Sequence, residues 1–431
     1  MALNVRLFRL FEGSMISYVT SSCDKVREDS SAFVRHINLD IPRAATTRTA
    51  RDINRRIVLN LIRKYQPISR ADLSRRSRLQ RSTVSSITDQ LITERWVTMG
   101  AYGDLPRGRK PTFLHLNGSR AGIIGIDVRP VETTMVLADL DMRFLTQDSL
   151  PTGKDPNRFA TQLSGRLLHL VNSHSRISVE GVGVALPGRV ELPSNRLAFA
   201  PNLDWAPVNL KQPIEAATGL PVELENAANA CALAEVWSGA HAESVRNLIA
   251  VTVSEGIGVG LILNGQLTRG TTGVAGEFGH VTIEEDGPLC RCGNRGCFEV
   301  CGSNNAALRY YNESTGNQSG GKSETMLTFD TILKLAEQDN PHACRAINRM
   351  ANALGAGLAM MITGLAPDVI VVVGEVTRAW RQVGPVVQKV VMNRIPTGAK
   401  TQVVPGTAGE QSRLRGAVAL VLRKHFGALH I

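Results

Sequence analysis

Four cysteines fall within twelve residues of a 431-residue chain that has only seven. The stretch Gly279–Gly302, GHVTIEEDGPLCRCGNRGCFEVCG, carries Cys290, Cys292, Cys297 and Cys301, with His280 ten residues ahead of the first. The spacing C-x-C-x4-C with a nearby imidazole can close a tetrahedral metal site. Zinc is the natural occupant, because it accepts thiolate and imidazole together, and a site with four protein ligands is structural. On spacing alone Cys301 is as good a fourth ligand as His280: it lies four residues past Cys297, on the same face if GCFEVCG is helical. The competing reading is a set of free or redox-active thiols. The expected compartment favours metal. No apolar run reaches the ~18 residues a membrane helix needs. The opening MALNVRLFRLFEGSMISYV lacks the continuous apolar region and small-residue cleavage site of a secretory signal. A cytoplasmic chain keeps its thiols reduced, and clustered cysteines there point to a metal.

Two carboxylates flank the cluster. Glu277 precedes His280 by three residues, so one helical turn or tight loop turns both the same way, and Glu299 follows Cys297 by two. A metal tying these segments together would hold both carboxylates at fixed positions. Ionised carboxylates held in this way are strong, directional hydrogen-bond acceptors for a polar ligand. A histidine that ligates metal through one ring nitrogen keeps the other for a hydroxyl.

The elements that position these residues belong to a chain long enough for two to four domains. Its charge is unevenly placed. The formal net charge is +11, yet residues 1–120 hold 22 Lys+Arg against 10 Asp+Glu, and residues 121–431 hold 27 against 28. A basic head on a near-neutral body suits nucleic-acid binding; the plainer reading is an arginine-rich solvated arm. Residues 1–47 read as a mobile arm. From Arg51 the pattern is helical, with Ile53, Ile57, Val58, Leu61 and Ile62 on one face. Ser69-Arg-Ala-Asp72 is an N-cap followed by an acid, opening a short helix. After a turn at Ser77-Arg78-Leu79, a third helix runs from about Gln80 to Glu94. It buries Val84, Ile87, Leu91 and Ile92 and turns Arg81, Ser82, Ser85, Ser86, Asp89 and Gln90 outward. Gln80 stands where Ser or Asn would cap better. WVTMGAYGDLPRGRKPTFLHL then reads as strand, turn, strand.

Three short helices and a hairpin describe a winged helix-turn-helix over residues 48–118. Its third helix would enter the major groove, with Gln80, Arg81, Ser82, Thr83, Ser85 and Ser86 as candidate contacts. Arg107, Arg109 and Lys110 at the wing suit phosphates or a minor groove. A three-helix packing module with a basic surface is the alternative. From Gly122 the chain alternates strands and helices, as α/β layers do. GIIGIDV with TTMVLADLD, and LIAVTV with GVGLIL, form two similar strand–turn–strand units, which hints at two similar lobes with a cleft between them.

GIDV, ALPGRVE, PNLDW, ELENAANA, SEGIGVG, AGEFGH and CRCGNRGCFE follow one another in that order. The chain from about Arg51 to the C-terminus resembles the ROK family of sugar-responsive repressors and sugar kinases. The resemblance implies a two-lobed actin-like (ribonuclease H-like) domain over residues 119–431. One lobe would be roughly 119–226 plus the C-terminal helix, the other 227–413, with a sugar site between them. It implies His280, Cys290, Cys292 and Cys297 as ligands of a structural zinc. It further implies sugar contacts from Glu277, His280 and Glu299, completed by Asn202 and Asn226, although each asparagine also suits a turn or cap at a strand end.

Departures from the kinases of the family bear on activity. Their ENDAN aspartate is the general base; here Ala227 stands in its place and cannot accept a proton, a loss of about 10²–10⁴-fold from that step. Their D-x-G-G-T phosphate loop is Asp127-Val-Arg-Pro-Val131 here, without glycines and with a proline that removes a donor. Glu255 and Glu375 add negative charge where a polyphosphate would lie. The expectation is a DNA-binding transcriptional regulator, a repressor, that binds operator DNA and a sugar effector without phosphorylating it. It would act as a homodimer or dimer of dimers, without membrane insertion. One alternative is a ROK sugar kinase with an appended DNA-binding domain, with a carboxylate such as Glu225 replacing the base. Another is a body that only dimerises or docks a phosphotransferase-system protein.

Overall fold

The computed structural model describes residues 47–102, 112–191, 194–200, 202–239, 245–316, 327–406 and 409–426. The chain divides into two compact units, Met1–Arg55 and Arg56–Ile431. The expected arm up to residue 46 and the wing cations Arg107, Arg109 and Lys110 lie outside the described residues. In the first unit the described part is Thr47–Arg55, within helix α1 (Thr47–Tyr65).

In the second unit α1 buries Val58, Leu59 and Ile62. Val58 and Ile62 of the expected face are buried and Leu61 partly so, but the expectation is corrected at Ile57, 39% exposed, and Ile53, 51%. At 100° per residue, a stripe centred on 58, 59 and 62 leaves 53 and 57 on the opposite side. Ser69 closes strand β1 (Ile68–Ser69) and caps α2 (Arg70–Ser77). Its hydroxyl accepts from the Asp72 N–H at 3.2 Å and donates to the Asp72 carboxylate at 2.6 Å, so the anticipated cap forms. Arg78, at φ 58, turns the chain into α3 (Arg81–Thr93), which starts without a side-chain cap from Gln80. Helix α3 buries Val84, Ile87, Thr88 and Leu91, whereas the expected Ile92 is only partly buried. Strands β2 (Val97–Tyr102) and β3 (Thr112–Leu116) pair antiparallel as anticipated, and β1 adds a third strand to the far edge of β3.

Two five-stranded sheets follow. The first contains β4 (Ala121–Val128), β5 (Glu132–Asp139) and β6 (Phe144–Pro151), a meander, then helix α4 (Pro156–Ser173) and β7 (Ser178–Leu186). A hairpin of β8 (Arg189–Glu191) and β9 (Arg196–Phe199), helix α5 (Lys211–Thr218) and β10 (Val222–Asn226) complete that half. The strand order is β10-β7-β4-β5-β6. Helix α6 (Ala227–Ser238) leads to the second sheet, of β11 (Leu248–Val253), β12 (Ile257–Leu263) and β13 (Gln266–Thr268). After α7 (Phe298–Gly302), α8 (Asn304–Thr315), α9 (Phe329–Glu337) and α10 (Pro341–Leu365) come β14 (Val369–Val373), α11 (Trp380–Arg394) and β15 (Gln402–Pro405). The order here is β13-β12-β11-β14-β15. Both sheets open with an antiparallel meander and continue parallel from its first strand, β4 to β7 and β11 to β14. The repeated motif in the sequence is thus a repeated sheet. Strands β4, β11 and β14 are buried at every residue, because elements cover both faces.

Helix α12 (Ser412–Phe426) packs on β4, β7 and α6. Glycine makes the approach possible. A Cβ at Gly183 would collide with the Ala417 carbonyl, and one at Gly416 with the Ala230 carbonyl. Within α6, Glu235 is 1% exposed and its Oε1 has no hydrogen-bond partner.

Burial pushes the Glu235 carboxyl from 4.5 up to about 7. The folded chain therefore keeps a proton that the unfolded chain releases. This group's contribution to stability is complete below the lower value and is lost as pH rises towards the higher one. Glu235→Gln copies the protonated acid. Urea unfolding should show the variant matching wild type near pH 4 and exceeding it by about 3 kcal/mol above pH 7. A difference that does not change with pH would refute this.

Candidate functional site

The metal-ligand candidates sit on a loop with little regular structure. Gly276, at φ 98, opens a 3₁₀ turn over Glu277–His280. The chain returns through Thr282–Cys297 and Leu289–Arg295 bridges to Cys297, the residue before α7. Gly296, at φ 57, packs so closely on the Glu284 backbone that no Cβ fits. One donor atom from each of His280, Cys290, Cys292 and Cys297 lies within 4.8 Å of the other three. His280 Nδ1 is 3.7 Å from Cys290 Sγ, and the Cys292 and Cys297 sulfurs are 3.6 Å apart. A tetrahedral ion with bonds of about 2.3 Å to sulfur and 2.0–2.1 Å to nitrogen separates its ligands by about 3.5–3.8 Å. The donor set and its spacing fit such an ion. Cys301 stands apart: it lies on α7, and its thiol donates to Glu284 Oε2 at 3.5 Å. Burial raises the Cys290 and Cys297 thiols, the latter to about 12.

Asn202, Asn226, Glu277, His280 and Glu299 all line one cavity of ≈ 140 Å³ at the mouths of the two sheets. Each is placed by its own stretch of chain. Asn226 ends β10 and caps α6, accepting from Ala228 N at 2.8 Å and Asn229 N at 3.3 Å and donating to the Gly188 carbonyl at 2.8 Å. It is thus both a cap and part of the cleft wall. Glu299, in the first turn of α7, accepts from the Ile257 N–H at 3.0 Å. A side chain at Gly256 would collide with its carboxylate. Burial is the leading influence on Glu299 and raises its pKa. With Nδ1 facing the thiols, His280 presents Nε2 to the cleft, 3.6 Å from Glu277 Oε2. Asn202 accepts from Arg291 Nη1 at 3.3 Å.

Arg189, Phe199, Arg291 and Arg413 also line the cavity and were not anticipated. Arg291 stands between Cys290 and Cys292, so the cysteine spacing could have marked it. Arg413 comes from α12, far along the chain, and carries no local signal. Ala227 lines the cleft, and its side chain has no group that could accept a proton. Glu225, the candidate replacement base, is held elsewhere. One carboxylate oxygen takes Arg269 Nη2 at 2.5 Å and Nε at 2.7 Å; the other takes Asn229 Nδ2 and Asn226 N, each at 3.0 Å. The residue does not line the cleft.

On α3, Arg81, Ser82 and Ser86 are exposed and Thr83 and Ser85 half-buried, with Gln80 exposed just ahead of them. Asp89, on the same face, pairs with Arg70 at 2.7 Å.

Two sheets of matching connectivity that enclose a polar cleft define an actin-like α/β protein. Residues 123–424 match the ROK family, and the chain belongs to it. It is 31% identical to the xylose repressor of Bacillus subtilis (strain 168) over 388 residues, 87% of this chain and 96% of that protein. A ROK family transcriptional regulator, a homologue of the Escherichia coli MLC protein, superposes with a TM-score of 0.77 at 24% identity, over 88% of this chain and 98% of its own. A ROK family glucokinase from Streptomyces griseus, solved with glucose and AMPPNP, gives a TM-score of 0.62 at 30% identity, over 70% of this chain and 99% of its own.

Elemental analysis by mass spectrometry should find one transition-metal ion per chain. Cys297→Ser should abolish that stoichiometry and Cys301→Ser should leave it intact. Loss of metal in Cys301→Ser alone would reverse the assignment of the fourth ligand.

Proposed function

We propose that the chain is a sugar-responsive transcriptional repressor of carbohydrate-metabolism genes. Its residues around α3 would form a winged helix-turn-helix that binds operator DNA through Gln80, Arg81, Ser82, Thr83, Ser85 and Ser86, with Arg107, Arg109 and Lys110 on the wing. The cleft would bind a sugar through Asn202, Asn226, Glu277, His280 and Glu299. A structural zinc on His280, Cys290, Cys292 and Cys297 would fix the loop that carries Glu277, His280 and Arg291. The resemblance to the xylose repressor over most of both chains supports this reading.

One observation carries it: the polar side chains for a sugar converge on a cleft whose base position is Ala227. The nearest carboxylate in sequence, Glu225, is saturated by Arg269, Asn229 and the backbone. Phosphoryl transfer would lack the group that takes the hydroxyl proton, and so the reading is a regulator rather than a kinase. Recognition of a two-fold operator calls for a dimer or dimer of dimers. The location proposed is the cytoplasm, where the operator lies. No helix among the described residues is long and apolar enough to cross a membrane.

Sugar and operator would oppose each other through a coupling free energy of about 1–3 kcal/mol. The test is anisotropy of a labelled duplex selected by this protein from a random library, with D-xylose first in a panel of aldoses. A binding sugar should weaken the DNA complex roughly 5–150-fold. Arg81→Ala should cost about 1–3 kcal/mol of DNA affinity. Glu299→Gln should leave DNA binding intact and abolish the sugar response. ATP-dependent phosphorylation of any aldose in the panel, or DNA binding indifferent to all of them, would sink the proposal.

A further inference from the structure

Beside the cleft, where the resemblance places the phosphate loop of the family's kinases, side chains from the two sheets meet around a second, small cavity lined by Arg129, Ser254, Glu375 and Arg413. Asp127 lies near the end of β4 in the first sheet and its carboxylate is almost fully buried. Glu375 follows β14 in the second sheet, and Glu255 lies in the β11–β12 turn of that sheet. Three carboxylates at one junction would push the two halves apart. Arg129 lies among them. Its Nε donates to Asp127 Oδ2 at 2.7 Å, and its Nη1 is 3.8 Å from Glu375 Oε1. Glu375 is held from its own side by Asn304 Nδ2 at 3.0 Å. A second arginine works in parallel. Arg413, on α12, approaches Asp127 Oδ1 at 3.9 Å and donates to Ser254 Oγ in the β11–β12 turn at 3.2 Å.

We propose that Arg129 is a positioning residue: its guanidinium joins Asp127 to Glu375 across the two sheets and holds the cleft in its sugar-binding geometry without a nucleotide. The inference rests on the sugar-binding reading for its consequence, but the cross-sheet latch stands on the contacts themselves. The chemistry is that of a cation shared by carboxylates from two bodies. A guanidinium with several donors in a rigid fork suits that role better than an ammonium. Burial alone would lower the Arg129 pKa; Asp127, Glu375 and Glu255 outweigh it and hold the group above its ordinary value. The residue is therefore charged at any working pH, and the latch is constant rather than switched. The glycine of the kinase loop and this arginine are alternative solutions at one place. Glycine leaves room for phosphates and their cation, and arginine supplies a cation from the chain itself.

The test compares wild type with Arg129→Ala, Arg129→Lys, Glu375→Gln and the double variant Arg129→Ala/Glu375→Gln. D-Xylose and the other aldoses of the panel are titrated by calorimetry, and the ligand-free proteins are measured by small-angle scattering. Arg129→Ala should weaken binding of the sugar that wild type takes by about tenfold or more and enlarge the ligand-free radius of gyration. Arg129→Lys should restore only part of both, because one ammonium cannot reproduce contacts made through two nitrogens of the fork. Adding Glu375→Gln to Arg129→Ala should recover part of the loss, because it removes one of the uncompensated carboxylates. Glu375→Gln alone keeps the Arg129–Asp127 contact and should show a smaller loss. Unchanged scattering and affinity in Arg129→Ala would overturn the latch. If wild type binds none of the sugars, the effector reading fails, and the scattering of the Arg129 variants still decides the latch.

Discussion

Three thiols and an imidazole converge within 4.8 Å of one another at the edge of the cleft, on the loop that carries Glu277, His280 and Arg291 to its wall. The span from His280 to Cys297, which caps α7, has almost no ladder of its own, only isolated bridges and turn glycines. Fixing such a segment costs roughly 1–2 kcal/mol of backbone entropy per residue, more than its turn and bridge hydrogen bonds return at about 0.5–1.5 kcal/mol each. The proposed zinc would supply the missing free energy, because binding energy at a structural site is folding energy. What the span delivers is specific. His280 is both candidate ligand and cleft wall, Arg291 reaches Asn202 from between two cysteines, and Cys297 leads directly into the turn that carries Glu299. A shift of the knot would move three groups of the cleft at once.

The two ends of the cleft have been treated differently. At the sugar end, polar side chains converge and keep unsaturated capacity; Asn226, for instance, uses its oxygen for the helix and one donor for Gly188, and retains a second amide hydrogen. Beyond that end, charges of the two sheets pair within the protein: Asp127 with Arg129, and Glu375 with Arg129 and Asn304. Internal pairing removes the positive potential that a polyphosphate would need and replaces it with fixed contacts. A kinase must leave this region open to a second substrate. A sensor gains from closing it, since order already present in the free protein lowers the cost of binding the one ligand it must detect.

Local signals reached those parts of the molecule whose physics is local. The Ser69–Asp72 cap, the antiparallel pairs β4–β5 and β11–β12, the buried run of β14 and the cysteine cluster were all legible, since each depends on residues near one another in sequence. Helix α1 shows the limit of periodicity. Its apolar residues cover more than one face, and only the packed structure selects Val58, Leu59 and Ile62 over Ile53 and Ile57. The two-residue strand β1 is too short to leave a pattern, and it is defined by its pairing with β3. Arg129 with Glu375 and Arg413 with Ser254 are contacts between distant parts of the chain, and nothing in either local sequence announces the partner. The same is true of Gly183 and Gly416, whose missing side chains matter only because α12 returns to lie on β7 and α6.

A regulator needs a structural unit that both of its ligands can bias. Helix α12 meets the geometric requirement. Arg413, in its first turn, lines the cleft, while Phe426, at its end, packs edge-on against Trp96 with ring centroids 6.1 Å apart and against Trp237 at 5.5 Å. The Phe426 carbonyl accepts from Asn60 Nδ2 on α1 at 2.6 Å. The helix has 15 residues, which at 1.5 Å each separate its ends by about 22 Å. Along the way, backbone contact at Gly416 with α6 and at Ala417 with β7 leaves no slack for the helix to bend into. Trp96, just past α3, is held between the Arg120 guanidinium at 3.9 Å and the His425 ring at 5.2 Å, and so it is seated on the end of α12. Close-packed interfaces of this kind move between discrete arrangements rather than deforming smoothly. Helix α12 thus touches the cleft through Arg413 and the seat of Trp96 through its far end, and control in the proposed regulator would require that sugar favour one arrangement of it and DNA another.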